Sequence, residues 1–354
     1  MIKHRSLSGT TIVLLFTWLV PLLDGAPGDL DPTFGTGGKV RFGFGGGDDQ
    51  GAAVAVQTDG KTVVAGTSYD VGEPNFSVLR YNPDGSLDSS FDGDGKASNA
   101  HYGIARAMKI QSDGKIVVAG SDGTNFLVAR FNADGSVDST FGTGGIVTTP
   151  IGSITSEANA LAIQPDNKIV AAGYAAVPST FDFRNVVALA RYNPDGSLDS
   201  TFDGDGIVTS SNIGSSFDSG SAAYGLILSG STIVVAGVSA DTFTVFRYNA
   251  NGSLDTTFNN GQGYVATALG GNSLARAVAI QPARPGVSET TIVAAGYVVT
   301  GSGNRDFALV RYFLDGTRDT SFDGDGIVIS SISPSDDVIN ALAIQNTGTA
   351  LSPV

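Results

Sequence analysis

Four short phrases recur along this 354-residue chain in one fixed order, and that repetition constrains the fold more than any other feature. The first reads LDPTFGTGGKV (30–40), LDSSFDGDGKA (87–97), VDSTFGTGGIV (137–147), LDSTFDGDGIV (198–208), LDTTFNNGQGYV (254–265) and RDTSFDGDGIV (318–328). A second, TVVAG or a variant, ends at Gly66, Gly120, Gly173, Gly237 and Gly296. A third, RYNPDGS or a variant, starts at Arg80, Arg130, Arg191, Arg247 and Arg311. A fourth, AVAVQ-like, covers 53–57, 107–111, 160–164, 277–281 and 341–345. The Asp of the first phrase advances by 57, 50, 61, 56 and 64 residues.

Each unit reads as four short strands joined by tight turns, with Asp-Gly pairs such as Asp59-Gly60 and Asp84-Gly85 between apolar runs, the strongest short hairpin signal. The third strand has two apolar faces: Phe76, Val78 and Arg80 point one way, Ser77, Leu79 and Tyr81 the other. A sandwich would leave one face wet, and the coils of a β-helix lack two hairpin turns per repeat. The prediction is therefore all-β: a β-propeller of four-stranded antiparallel blades. Five blades are complete (about 52–97, 105–147, 159–208, 222–265 and 275–328) and the copies at 29–40 and 338–345 are parts of a sixth. Composition agrees. Of 34 acidic residues 31 are Asp, and Glu occurs only at 73, 157 and 289; Asp suits turns where Glu suits helix interiors.

The amino terminus is different. Lys3, His4 and Arg5 precede TIVLLFTWLVPLL (11–23), which is too short to span a bilayer comfortably. A basic start, a short apolar run and small residues after it describe a signal peptide over 1–26. The expectation is a single propeller domain over 27–354, secreted to the cell surface, medium or periplasm, with no transmembrane segment in the mature chain.

The phrases, taken together, resemble the delta-60 repeat family, whose units run as an apolar strand, DGKIVVAG, F-x-LARYN-DGSLD-x-FG and G-x-V. The resemblance covers about residues 29–345. It implies a β-propeller-like domain of exported bacterial proteins and implies no activity. The chain departs from the pattern where Leu228-Ser229-Gly230-Ser231 replaces the QxDGK turn and where residues 281–291 enlarge it.

Two sets of polar residues recur with the repeat. Arg80, Arg130, Arg191, Arg247 and Arg311 sit on an apolar face, and Asp88, Asp138, Asp199, Asp255 and Asp319 follow across a hairpin. A buried guanidinium needs a carboxylate or several carbonyls, so one structural Arg–Asp tie per blade is expected. The DGDG segments offer Asp92, Asp94, Asp203, Asp205, Asp323 and Asp325. They read either as turn residues or as calcium ligands; the copies with GTGG or NNG in their place favour turns, and calcium is the single cofactor to consider. Binding residues are expected in the variable loops between second and third strands, which hold Asp70, Glu73, Asp182, Arg184, Arg305 and Asp306. Arg106 and Arg276 belong near the channel mouth.

Several function classes drop out. No Cys means no thiol enzyme, zinc finger or disulfide framework. A net charge of −14 argues against a nucleic-acid partner. His101 is the sole histidine beyond the signal segment, and no G-x-S-x-G, P-loop or HExxH occurs. The leading expectation is a non-catalytic binding or structural scaffold for a protein or carbohydrate ligand. The alternative is a propeller hydrolase or lyase acting on carbohydrate through loop carboxylates, with or without calcium.

Overall fold

The computed structural model describes residues 29–345 except 45–46, 70–72, 180–182, 211–219, 284–288 and 302; the signal peptide expected over 1–26 lies outside the described residues. Twenty strands form five antiparallel sheets of four, each in chain order. Blade one contains β1 (Gln50–Val56), β2 (Thr62–Ser68), β3 (Asn75–Tyr81) and β4 (Lys96–Tyr102). Blade two contains β5 (Ile104–Ile110), β6 (Ile116–Ser121), β7 (Phe126–Phe131) and β8 (Ile146–Thr149). Blade three contains β9 (Ser156–Ile163), β10 (Ile169–Pro178), β11 (Phe183–Tyr192) and β12 (Ile207–Ser210). Blade four contains β13 (Ser221–Ser229), β14 (Thr232–Ser239), β15 (Thr242–Tyr248) and β16 (Tyr264–Thr267). Blade five contains β17 (Ser273–Gln281), β18 (Thr291–Val299), β19 (Arg305–Phe313) and β20 (Ile327–Ser330). This is a β-propeller with five complete blades and pieces of a sixth. No helix among the described residues is long and apolar enough to cross a membrane.

The blades stack face to face because their middle strands are apolar on both sides. Four hydrophobic clusters result, one at each junction between consecutive blades. Between blades two and three, Val117, Phe126 and Val128 pack against Ile169, Ala190 and Tyr192. The same positions meet between blades four and five, as Val234, Phe243 and Val245 against Ile292, Val310 and Tyr312. Each fully buried Phe or Val contributes roughly 1.5–3 kcal/mol relative to exposure. The innermost strands β1, β5, β9, β13 and β17 lie side by side around a channel.

The fourth strand begins later than the sequence pattern implies. The DxSF phrase is itself a turn, bridged to the end of the third strand at Tyr81–Leu87 and its equivalents, and the strand proper starts at the residue after DGDG. Two variable loops are shorter than expected, since β10 and β11 extend into one and β18 and β19 into the other. Arg184, Arg305 and Asp306 therefore stand in strands, paired with Val177, Val299 and Val298. His101 likewise belongs to β4 and not to a connection between blades. Longer strands let more backbone amides pair, which outweighs the polar composition of these segments.

Candidate functional site

The recurring polar residues form one module per blade. In blade one, Arg80 Nε donates to Asp88 Oδ2 at 2.6 Å and its guanidinium lies 4.6 Å from the centroid of the Phe91 ring. Asp88 Oδ1 accepts from the Ser90 amide and hydroxyl. The other blades repeat the Arg–Asp bond at 2.7 Å, as Arg130–Asp138, Arg191–Asp199, Arg247–Asp255 and Arg311–Asp319. In three blades the lysine of the DGK or DNK turn joins: Lys61, Lys115 and Lys168 donate to Asp88, Asp138 and Asp199 at 2.8, 2.9 and 2.9 Å. Burial alone would raise the Asp88 carboxyl. Lys61, Ser90 and Arg80 outweigh it and hold the group far below the usual carboxylate range.

The arginine also crosses between blades. Arg80 and Arg130 Nη1 donate to the Ala133 and Pro194 carbonyls of the next blade at 2.6 and 2.5 Å. Arg191 and Arg247 reach the Ala250 and Leu314 carbonyls in the same way. The module is therefore a latch between neighbours as well as a tie within one blade.

The DGDG carboxylates serve the backbone. Asp92, Asp203 and Asp323 have φ of +51°, +53° and +52°, and Gly35, Gly142 and Asn259 occupy the same left-handed position. Gly, Asn and Asp are the residues that tolerate it, which explains the interchange seen among the copies. The second carboxylates, Asp94, Asp205 and Asp325, accept the amides of Lys96, Ile207 and Ile327. Among the described residues, no three His, Cys, Asp or Glu side chains converge as a metal site.

A different feature marks the channel. Every innermost strand carries a β-bulge at the same place, between Gly51 and Ala53, Ala105 and Ala107, Ala158 and Ala160, Ala223 and Gly225, and Ala275 and Ala277. The extra residues are Ala52, Arg106, Asn159, Tyr224 and Arg276, and the equivalent residue of the partial sixth copy is Asn340. The glycine of each VVAG phrase makes room for the bulge. A Cβ on Gly120 would lie 1.9 Å from the Ile104 carbonyl oxygen, with the same clash at Gly66, Gly173, Gly237 and Gly296. Bulges re-aim side chains and gather near functional sites. Here they set five residues of four kinds in one ring, at the end of the channel that carries the connections between second and third strands.

The ring is held by its neighbours. Arg106 Nε pairs with Glu157 Oε1, and the Tyr174 hydroxyl donates to Glu157 Oε2 at 3.2 Å. Asn159 Nδ2 donates to the Ala223 carbonyl at 2.9 Å. Arg276 Nη1 donates to Asn340 Oδ1 at 2.8 Å, its guanidinium lies over the Tyr297 ring, and its buried Nε has no partner. Burial raises the hydroxyl pKa of both Tyr174 and Tyr224; at Tyr174 the Glu157 carboxylate adds to the effect. Below the ring, a cavity of about 530 Å³ is lined by apolar residues together with Arg106 and Lys109.

The structure thus brings Arg106 and Arg276 onto one ring and leaves the other loop candidates apart. Arg305 pairs with Asp336 at 3.3 Å and covers the outer side of Tyr297. Arg184 and Asp306 are partly buried in strands, and Glu73 is exposed in the β2–β3 connection. Asp70 and Asp182 lie outside the described residues. Sequence reasoning missed Glu157, Tyr174, Tyr224 and Tyr297. Their signal was present: the residue after the VVAG glycine is Tyr in two copies, and the bulge position varies among Ala, Arg, Asn and Tyr.

Solved structures are similar to the chain at low identity. Sqt1 from Chaetomium thermophilum is 10% identical, with 83% of this chain and 74% of that one aligned and a TM-score of 0.39. The polysaccharide lyase Uly1 is 10% identical over 75% and 57% of the two chains, with a TM-score of 0.38. Drosophila Plexin A in complex with Semaphorin 1b is 11% identical over 75% and 52%, with a TM-score of 0.37. No curated protein matches the chain significantly. The family model described as "Domain of unknown function (DUF5122) beta-propeller" matches residues 57–91, 111–141, 164–202, 231–258 and 291–322, one segment in each blade. The five matched segments fall on the strands, latches and turns described above, so each blade carries one repeat similar to this family of β-propeller domains.

Proposed function

We propose that this protein is a non-catalytic binding module that holds an acidic carbohydrate at the channel mouth, outside the cell. One observation carries the reading. Five bulges in register present a ring that varies among Ala, Arg, Asn and Tyr, while the residues common to all repeats are engaged in holding the blades together. A rigid scaffold with one variable residue per blade is suited to recognition. Arg106, Arg276 and Lys109 supply cationic donors for a carboxylate. The rings of Tyr224 and Tyr297 offer apolar faces with polar edges for a sugar ring. The basic and apolar pattern of residues 1–26 supports export.

The test is calorimetric titration with oligogalacturonate as the probe. Saturable binding that weakens at least tenfold in both Arg106→Ala and Arg276→Ala supports the ring as the site. Affinity indifferent to both substitutions removes it. A second reading has a specific observation behind it. Tyr174, Glu157 and Arg106 form a hydrogen-bonded group beside the channel, and elimination from a uronate needs a base near the acidic carbon and a cation on the carboxylate. Growth of the ultraviolet chromophore of an unsaturated uronate, lost in Tyr174→Phe, would replace the binding reading with a lyase.

A further inference from the structure

Blades one and five face each other across an unfilled sector, and both walls of it are built as blade junctions. On one side, Gly35 N donates to the Asp84 carbonyl at 2.7 Å. That bond repeats Asp92 to Asp134, Gly142 to Asp195, Asp203 to Asn251 and Asn259 to Asp315, so residues 31–40 occupy the outer position of a sixth blade. On the other side, Asp337 N donates to the Arg305 carbonyl at 2.7 Å, as Ser156 does to Thr124 and Ser273 to Asp241. Residues 337–345 thus lie in the position of that blade's innermost strand, without themselves forming one. Its second and third strands are the missing parts among the described residues.

The groups that would receive those strands are in place. Asp31 Oδ1 accepts the amide and hydroxyl of Thr33, as Asp88 accepts those of Ser90, and Phe34 follows as Phe91 does. No arginine among the described residues completes this copy of the module. Conversely, Arg311 Nη1, whose four counterparts each bond a turn carbonyl of the next blade, reaches only Gln281 Oε1 at 3.4 Å. Apolar surface on both walls is bare. Val54 and Val56 are 67% and 70% exposed, where the counterparts of Val54, Met108 and Leu161, are 6% and 2% exposed. Val64 and Leu79 are half-buried beside a cavity of about 480 Å³, while their counterparts Val118 and Ala129 are fully buried. Phe307 and Leu309 on blade five are likewise half-buried, where Phe243 and Val245 are covered.

We propose that this sector takes up a two-stranded β-hairpin from a second polypeptide, with the chemistry of the repeat's own middle strands. Its first strand carries an IVVAG-like run, and its second carries an arginine that docks on Asp31 and Phe34. Its Asp-Gly turn supplies the carbonyls for Arg311 and the Asp323 amide. Strand addition at both edges pairs backbone that would otherwise stand open. The proposal does not depend on what the channel binds.

The probe is a synthetic peptide with the sequence of residues 113–136, DGKIVVAGSDGTNFLVARFNADGS, added to the full chain. Fluorescence anisotropy is expected to show one-to-one binding, and the melting temperature is expected to rise with peptide concentration. Binding should weaken at least tenfold when the peptide's arginine (position 130) is alanine or when the protein carries Asp31→Ala. No binding, equal binding of a scrambled peptide, or indifference to both substitutions overturns the proposal. A second measurement locates the peptide. The chain has no cysteine, so Val64→Cys mixed with a peptide bearing Val117→Cys and oxidised by dissolved oxygen with a copper catalyst should form a single intermolecular disulfide. If binding occurs and that crosslink does not form, the peptide sits elsewhere and the proposal fails.

Discussion

A guanidinium taken out of water has five N–H donors to place, and Arg130 places them close by. Its partners are Asp138, the Pro194 carbonyl of the next blade and the face of Phe141. Removing it leaves Asp138 buried with Lys115 as its one cation, beside the Thr140 amide and hydroxyl. Breaking a buried pair costs about 3–5 kcal/mol, so Arg130→Ala is expected to lower the thermal midpoint sharply; a midpoint within one degree of the parent would show that the module contributes no stability. The carboxylates give a second expectation. All five module aspartates have pKa values below their ordinary value in the fold, because hydrogen bonds from Lys, Ser or Thr and Arg outweigh the effect of burial. Stability from such groups is fully present above the unfolded pKa of about 3.9 and is lost as pH falls toward the folded value. Midpoints measured from pH 6 to pH 2 should hold to about pH 4 and then fall steeply; a flat profile below pH 4 would contradict the shifted carboxylates. The arginine–aspartate pairing was legible in the sequence, because an arginine on an apolar strand needs an acid. The lysines were also repeated there. Their role was not legible, since a DGK turn reads as solvated until the fold carries the side chain back over the Asp.

Strand by strand, the sequence specified order and pairing well and boundaries less well. Asp-Gly turns and alternating apolar positions place all twenty strands in the right sequence. Arg184, Arg305 and Asp306 read as loop because charge marks loops on average, yet here they extend strands whose backbone pairing continues past the apolar run. The bulges were hidden for another reason. A bulge is a register relation between two strands, and no single strand displays it. Its sequence trace is the VVAG glycine, which is needed because the bulged strand crosses directly above it. Gly120→Ala would put Cβ 1.9 Å from the Ile104 carbonyl oxygen, and backbone on both sides has to move. The expected cost is about 3 kcal/mol, at the upper end of ordinary substitutions, with Arg106 displaced along with the bulge. Circular dichroism melts check the first part. Loss of oligogalacturonate affinity in the folded variant checks the second, and an unperturbed variant would mean that the glycine has some other purpose.

At the level of the whole molecule, stability is a sum over neighbours. Each blade touches the blades beside it through one apolar cluster and one set of arginine latches, so the assembly behaves as a short stack. Blade three has complete neighbours on both sides. Blades one and five each have one, together with a fragment of the sixth. Local opening should therefore require least free energy at the two walls of the open sector and most in the middle of the stack. Amide hydrogen exchange is expected to be slowest in β10 and β11, faster in β1 and β2, and fastest in β20 and residues 337–345. The gradient also reports on closure. If the hairpin peptide fills the sector, protection should rise at β1, β2 and β19 while β10 and β11 stay as they were, since only the end blades gain a neighbour. Uniform protection across all five blades in the absence of peptide would mean that the sector is already filled in solution, and would overturn the proposed uptake of a hairpin.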